Sequence, residues 1–168
     1  MPTSERTLVL IRHAKSSWAF LDMEDFDRPL NDRGNHDAPM MAKRLLKKEI
    51  NIDAFVSSPA VRARTTAEYF AKAYDQKSKH IIEVPALYEA PVSVFYQVVS
   101  GLDNSIKTAA IFSHNPGITD FANSLTTMRI DNVPTSGVFA VKANIKKWSD
   151  FEEAEKEFWF FDYPKADH

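Results

Sequence analysis

Cysteine is absent from the chain. That excludes a disulfide framework, a cysteine-ligated zinc site and a thiolate nucleophile, so covalent catalysis here must use another side chain. Glycine is scarce, with Gly34, Gly101, Gly117 and Gly137 as the only four. Neither a G-x-x-x-x-G-K-[ST] loop nor a G-x-G-x-x-G turn can be written from them, which argues against ATP-type P-loops and ordinary dinucleotide sites. No apolar run approaches the roughly 20 residues that span a bilayer. The run of four apolar residues that follows Glu5, Arg6 and Thr7 is too short for the core of a signal peptide. Neither charge sign dominates: 21 Lys and Arg stand against 23 Asp and Glu, for a net charge of -2. A nucleic-acid or membrane-surface binder would carry a basic stripe or tail. The expectation is a cytoplasmic protein with neither nucleic acid nor membrane as partner.

What is present is an ordinary globular composition, 44% hydrophobic and 26% charged over 168 residues. That length suits one domain, 1–168, with a full-sized core. Short apolar runs alternate with helical patterns. Strands are expected at Thr7–Ile11, Asp53–Ser57, His80–Val84 and Thr108–Phe112. Helices are expected after the Asn31-Asp32 cap region, then at Ala60–Tyr74, Pro91–Val99 and Gly117–Leu125. Met40, Met41, Leu45 and Leu46 read as the inward face of the first helix. Val61, Tyr69, Phe70 and Ala73 read as that of the second. Val138–Ile145 and Phe158–Phe161 read as an antiparallel hairpin at an edge. Strand-helix alternation predicts an α/β fold in three layers, a mostly parallel central sheet with helices on both faces.

Three strand ends deliver polar residues. The first ends in Arg12-His13, the second in Ser57-Ser58-Pro59 followed by Arg62, and the fourth in Ser113-His114-Asn115-Pro116-Gly117. In a parallel sheet these ends share one edge, where ligands of open α/β sheets bind. Arginines bind phosphate through a rigid fork, helix N-termini add N–H groups, and a neutral histidine, ordinary pKa ~6.5, is a competent nucleophile toward phosphorus. Arginines beside the two histidines favour an anion over a zinc ion, so the reaction is expected to need no metal and no cofactor.

These motifs resemble the histidine phosphatase superfamily, the phosphoglycerate mutase-like fold, and within it the small phosphohistidine phosphatases of the SixA type. The resemblance rests on Arg12-His13-Ala14-Lys15-Ser16-Ser17-Trp18, Arg28-Pro29-Leu30-Asn31 with Gly34, Ser58-Pro59-Ala60-Val61-Arg62-Ala63, Ser113-His114-Asn115-Pro116-Gly117, Pro134-Thr135-Ser136-Gly137 and Phe160-Phe161-Asp162-Tyr163-Pro164. It implies His13 as nucleophile and phosphoryl carrier. Arg12 and Arg62 would clamp the phosphate oxygens, and His114 would donate to the same phosphate as an imidazolium. Ser16 and Arg28 would border the site. Most members carry Gly where this chain has Ala14 and Ser113. Ala is small enough to be tolerated, and Ser before His is familiar in the SixA type.

Glu89, in Leu87-Tyr88-Glu89, stands about where phosphomonoesterases of the superfamily place a general acid, which the SixA type is thought to lack. An alkoxide leaving group needs that proton, whereas an imidazole leaving from phosphohistidine needs little help. In the pocket with a raised pKa, Glu89 would make phosphomonoesters plausible substrates; pointing to solvent, it would favour phosphohistidine.

The expected reaction is hydrolysis of a phosphoryl group through a phosphohistidine intermediate. The expected partner is a phosphorylated protein of the histidine-containing phosphotransfer type, or else a small phosphorylated metabolite. A phosphomonoesterase or mutase on the same scaffold and a non-catalytic phosphate or phosphopeptide binder are the alternatives. Asp25-Phe26-Asp27 follows no apolar strand and reads as loop. Arg64 reads as a solvated helix residue, and His36, His80 and His168 have no motif partners.

Overall fold

The computed structural model describes residues 4–166; His168 lies outside them. Six strands form one sheet in the order β3-β2-β4-β1-β5-β6. They are β1 (Glu5–Arg12), β2 (Ala54–Ser57), β3 (Ile82–Glu83), β4 (Thr108–Ser113), β5 (Val138–Asn144) and β6 (Lys156–Asp162). β1, β2, β3 and β4 pair in parallel, β5 runs antiparallel to β1, and β6 antiparallel to β5. The C-terminal hairpin therefore adds to β1, and of its two strands only β6 lies at an edge.

Four helices connect the strands: α1 (Asp32–Lys47), α2 (Val61–Ala73), α3 (Val92–Ser100) and α4 (Gly117–Leu125). Successive side chains of a strand point to opposite faces, and β1 shows the consequence. Val9 and Ile11 join the core under α1 and α2, with Met41, Leu45 and Phe70. Leu8 and Leu10 join the core under α3 and α4, with Phe95, Phe121 and Trp148. A strand buried on both faces must be apolar at every position, which is why Leu8–Ile11 is an unbroken run.

The structure corrects three local readings. The third strand is only Ile82–Glu83, because Ser78–His80 and Pro85–Leu87 each form a turn of 3-10 helix. α1 buries Ala38, Met41, Ala42 and Leu45, and leaves Leu46 exposed. α2 buries Arg62, Ala63, Thr66, Ala67, Phe70 and Ala71, so only Phe70 of the four expected residues faces fully inward. Small residues let α2 lie close to the sheet, and the larger Tyr69 is displaced to its flank.

Two glycines permit close approaches beside the polar strand ends. A Cβ on Gly34, in the first turn of α1, would stand 2.2 Å from the Lys15 carbonyl oxygen, and one on Gly117 would stand 2.0 Å from that of Ala90. Asn31 caps α1 by accepting the Gly34 N–H at 2.9 Å. No helix among the described residues is long and apolar enough to cross a membrane.

Candidate active site

The register places three strand ends side by side. Arg12 pairs with Ser113 and Ser57 with Phe112, so His13, His114 and Ser58 leave the sheet together at its carboxyl edge. The backbone around His13 is held from several sides. The His13 N–H donates to the Ser113 carbonyl at 3.1 Å, and the Ser136 N–H donates to the carbonyls of Arg12 and His13 at 3.1 and 3.2 Å. The Ala14 N–H donates to Thr66 Oγ1 at 2.9 Å, whose hydroxyl donates to the Arg62 carbonyl at 2.7 Å. The first turns of α2 are thereby tied to the His13 segment.

The His13 side chain is 7% exposed, with Nδ1 2.7 Å from the Ala14 carbonyl oxygen. A carbonyl only accepts, so Nδ1 carries the ring proton and Nε2 keeps its lone pair. Burial pushes the His13 pKa down to about 3, against the Ala14 hydrogen bond and helped by the charges of His114, Arg62 and Arg12. His13 is neutral at physiological pH.

The two imidazole rings lie 5.2 Å apart. Nε2 of His114 is 2.7 Å from Ser58 Oγ. That oxygen already accepts the Ala60 N–H, so its O–H can serve Nε2 and leave the ring proton on Nδ1. Nδ1 is buried without a partner. Burial, then Arg62 and Arg12 working against Asp25, pushes the His114 pKa down to about 4. These neighbours favour the neutral ring of His114; the imidazolium that the resemblance implies belongs to the phosphate-bound site. A phosphoryl dianion would shift it back toward the charged form.

The arginines carry the electrostatics. Arg12 donates to the Val133 carbonyl at 3.1 Å, and burial together with the like charge of Arg62 lowers its pKa. Arg62 is 5% exposed. It donates from Nη1 to the Asp25 carbonyl at 2.7 Å and from Nη2 to Asp25 Oδ2 at 3.0 Å. Arg28 is buried too, with Nη1 2.7 Å from Ser16 Oγ, Nε 3.1 Å from Asp25 Oδ1 and the Trp18 ring 3.6 Å from its guanidinium carbon. Like Nε and Nη1 of Arg6 at the far end of β1, Arg12 Nε, Arg62 Nε, His114 Nδ1 and Ser136 Oγ are buried without partners among the described residues. Each such group costs about 1–3 kcal/mol, so their gathering at one place marks a site built for a ligand that accepts hydrogen bonds.

The structure thus brings Arg12, His13, Arg62 and His114 together, with Ser16 and Arg28 joined to them through Asp25. Glu89 is exposed, with φ at 56° and no side-chain hydrogen bond or ion pair among the described residues. His36 and His80 are exposed, and Arg64 pairs with Glu83 at the surface. Asp25 and Tyr88 are the site residues that sequence reasoning missed. Asp25 does lie in a connection, in a 3-10 turn from Asp25 to Asp27, yet its carboxylate accepts from Arg28, Arg62 and Tyr88. The Asp25-to-Arg28 spacing of three, which puts two side chains on one face of a helical turn, was the available signal.

Residues 8–97 match the model of the histidine phosphatase superfamily (branch 1). The chain belongs to this superfamily. Its membership supports phosphatase activity. Among sequence relatives, this superfamily member is 29% identical over 156 residues to an uncharacterised chloroplastic protein of Arabidopsis thaliana, covering 86% of this chain and 70% of the other. It is 33% identical over 87 residues to the 2,3-bisphosphoglycerate-dependent phosphoglycerate mutase of Bartonella henselae, covering 51% of this chain and 42% of that enzyme. Among solved structures, the protein histidine phosphatase SixA complexed with tungstate superposes with a TM-score of 0.79 at 20% identity, over 94% of this chain and 96% of that one. The fold is the SixA, phosphoglycerate mutase-like fold expected from the sequence.

Proposed function

We propose that this protein hydrolyses a phosphoryl group from protein phosphohistidine through a phosphohistidine intermediate on His13. The observation that carries the reading is the His13 tautomer. Nδ1 is committed to the Ala14 carbonyl, so the Nε2 lone pair stands ready beside two arginines and an unpartnered ring nitrogen of His114. His13 Nε2 attacks phosphorus, the P–N bond to the substrate imidazole breaks, and that imidazole leaves with its electron pair. Water then attacks the phospho-enzyme, the P–Nε2 bond breaks, and inorganic phosphate departs. Arg12, Arg62 and His114 offset the charge on the phosphoryl oxygens at both steps, and Ser16 and Arg28 hold the border of the site.

Two features favour a protein-borne phosphohistidine. Glu89 is exposed and unattached, and an imidazole leaving group needs no proton donor there. The loop beside the site also exposes Trp18, Phe20, Leu21 and Phe26, and such a cluster suits contact with another protein better than a small phosphorylated metabolite. A histidine-containing phosphotransfer protein meets both conditions.

The test is turnover of such a phosphorylated protein beside a panel of sugar and glycerate phosphates, with acid-quenched samples analysed by mass spectrometry. Faster turnover of the protein substrate, with phosphate on His13, is expected. Faster hydrolysis or isomerisation of the small esters would shift the reading to a phosphomonoesterase or mutase. Binding without turnover, and no phosphate on the enzyme, would leave a phosphate-binding protein.

A further inference from the structure

We infer that Asp25 is a positioning residue that takes one edge of the Arg62 guanidinium and so commits the other edge to the phosphoryl group. The inference rests on the reading of this site as a phosphoryl site, and names a residue outside the motifs that led to it.

A guanidinium presents five N–H groups in a plane. Two of them, one on each terminal nitrogen, are directed to residue 25, at the backbone carbonyl (2.7 Å) and the carboxylate (3.0 Å). That is the end-on edge of the fork. The remaining edge consists of Nε–H and the second hydrogen of the terminal nitrogen beside it, and Nε is buried with no partner. A tetrahedral anion accepts a bidentate pair on such an edge. Arg62 thus needs no release from Asp25 to bind phosphate; it is already turned by it.

The same carboxylate gathers the other walls of the site. It accepts Arg28 Nε at 3.1 Å on one oxygen and the Tyr88 hydroxyl at 2.6 Å on the other. Tyr88 in turn sets its ring edge-on to His114 at 5.5 Å. Three segments far apart in sequence are referred to one point. Burial opposes the charge of Asp25, but Tyr88, Arg62 and Arg28 outweigh it and hold the carboxyl at about 2. The anchor stays ionised across the physiological range. Because Asp25 sits in the loop that also carries Trp18 and Phe20, a partner that presses on this loop would bear on the orientation of Arg62.

The experiment compares wild type, Asp25→Asn, Asp25→Glu and Tyr88→Phe. Each is titrated with vanadate, followed on the arginine Nε–H signals by NMR, and each is assayed with the phosphorylated protein. Vanadate affinity in Asp25→Asn is expected to fall by about tenfold to a hundredfold, with kcat/KM falling alongside. Asp25→Glu should regain part of both, Tyr88→Phe should lose less, and melting temperatures should stay close to wild type. Unchanged vanadate affinity in a folded Asp25→Asn would overturn the inference. Tighter affinity would overturn it too, since the carboxylate would then be a competitor of the anion rather than its support. Wild type that binds vanadate but never turns over substrate would count against the proposed function alone, because the vanadate arm needs no catalysis.

Discussion

β1 carries a buried arginine, Arg6, near its amino end and a half-buried one, Arg12, at its carboxyl end, and the two do different work. At the amino end Arg6 donates from Nη2 to the carbonyls of Asn104 and Lys146, at 3.0 and 2.9 Å. It ties two connections to the sheet, and Asp53 nearby accepts the N–H groups of Lys107 and Thr108. At the carboxyl end Arg12 faces another arginine, and two histidines are held neutral between them. Burial of an arginine therefore does not mark a site. Arg6 also keeps Nε and Nη1 buried without partners among the described residues, so unpartnered donors alone do not mark a site either; the mark is their convergence with like charge and two histidines, which costs stability unless an anion arrives.

Substitutions at the two ends of β1 separate their roles. The largest effect is expected from His13→Ala, which should remove the phospho-enzyme and lower turnover by at least about a thousandfold. Comparable turnover in that variant would end the covalent mechanism. Next, Arg12→Ala or Arg62→Ala should lower kcat/KM by about 10²–10³-fold. Arg12→Ala should leave stability unchanged or raised, because a like-charge contact is relieved. Arg6→Ala should do the reverse. Two carbonyls lose their donor, so stability should fall by about 1–3 kcal/mol in chemical denaturation, while kcat of the folded fraction stays within about twofold. An activity loss in Arg6→Ala as deep as in Arg12→Ala would erase the distinction between the two ends.

The carboxyl end should also write itself into the pH dependence. His13 and His114 have folded-state pKa values of about 3 and about 4, below the unfolded value of ~6.5. Between those limits the unfolded chain binds more protons, so stability rises with pH. Their contribution is complete above ~6.5 and is lost as pH falls toward 3. Stability measured from pH 7 down to pH 4 should drop less steeply in His13→Ala than in wild type. After correction for substrate ionisation, the acid limb of kcat/KM should lie well below 6; a limb at 6.5 would mean that the histidines are solvated in the free enzyme. The smallest effect is expected from Glu89→Gln, within about threefold on the protein substrate. A loss of a hundredfold would restore Glu89 as general acid.

How much was legible follows from the range of the interactions. Apolar runs ending in Arg12-His13 and Ser113-His114 could be read locally, because a strand buried on both faces excludes polar residues until it leaves the sheet. The inward faces of α1 and α2 were read by apolarity alone, and there the reading slipped. Tertiary packing chose Ala38, Ala42, Ala63 and Ala67, residues small enough for close approach, over larger apolar neighbours. Asp25 was unreadable as a site residue because its partners Arg62 and Tyr88 lie 37 and 63 residues away.

The sequence by itself determined the chemistry on offer. It excluded thiolate chemistry, supplied two histidines and an arginine at strand ends with a second arginine in the helix that follows β2, and specified a mostly parallel sheet that would align those ends. Only the tertiary structure decided the state of those groups. Which histidine nitrogen holds the proton, which edge of Arg62 is free, and where Glu89 stands all depend on a carbonyl, a carboxylate and solvent met after folding. Residue type sets what a side chain can do, whereas protonation and orientation are set by the neighbours that burial brings to it.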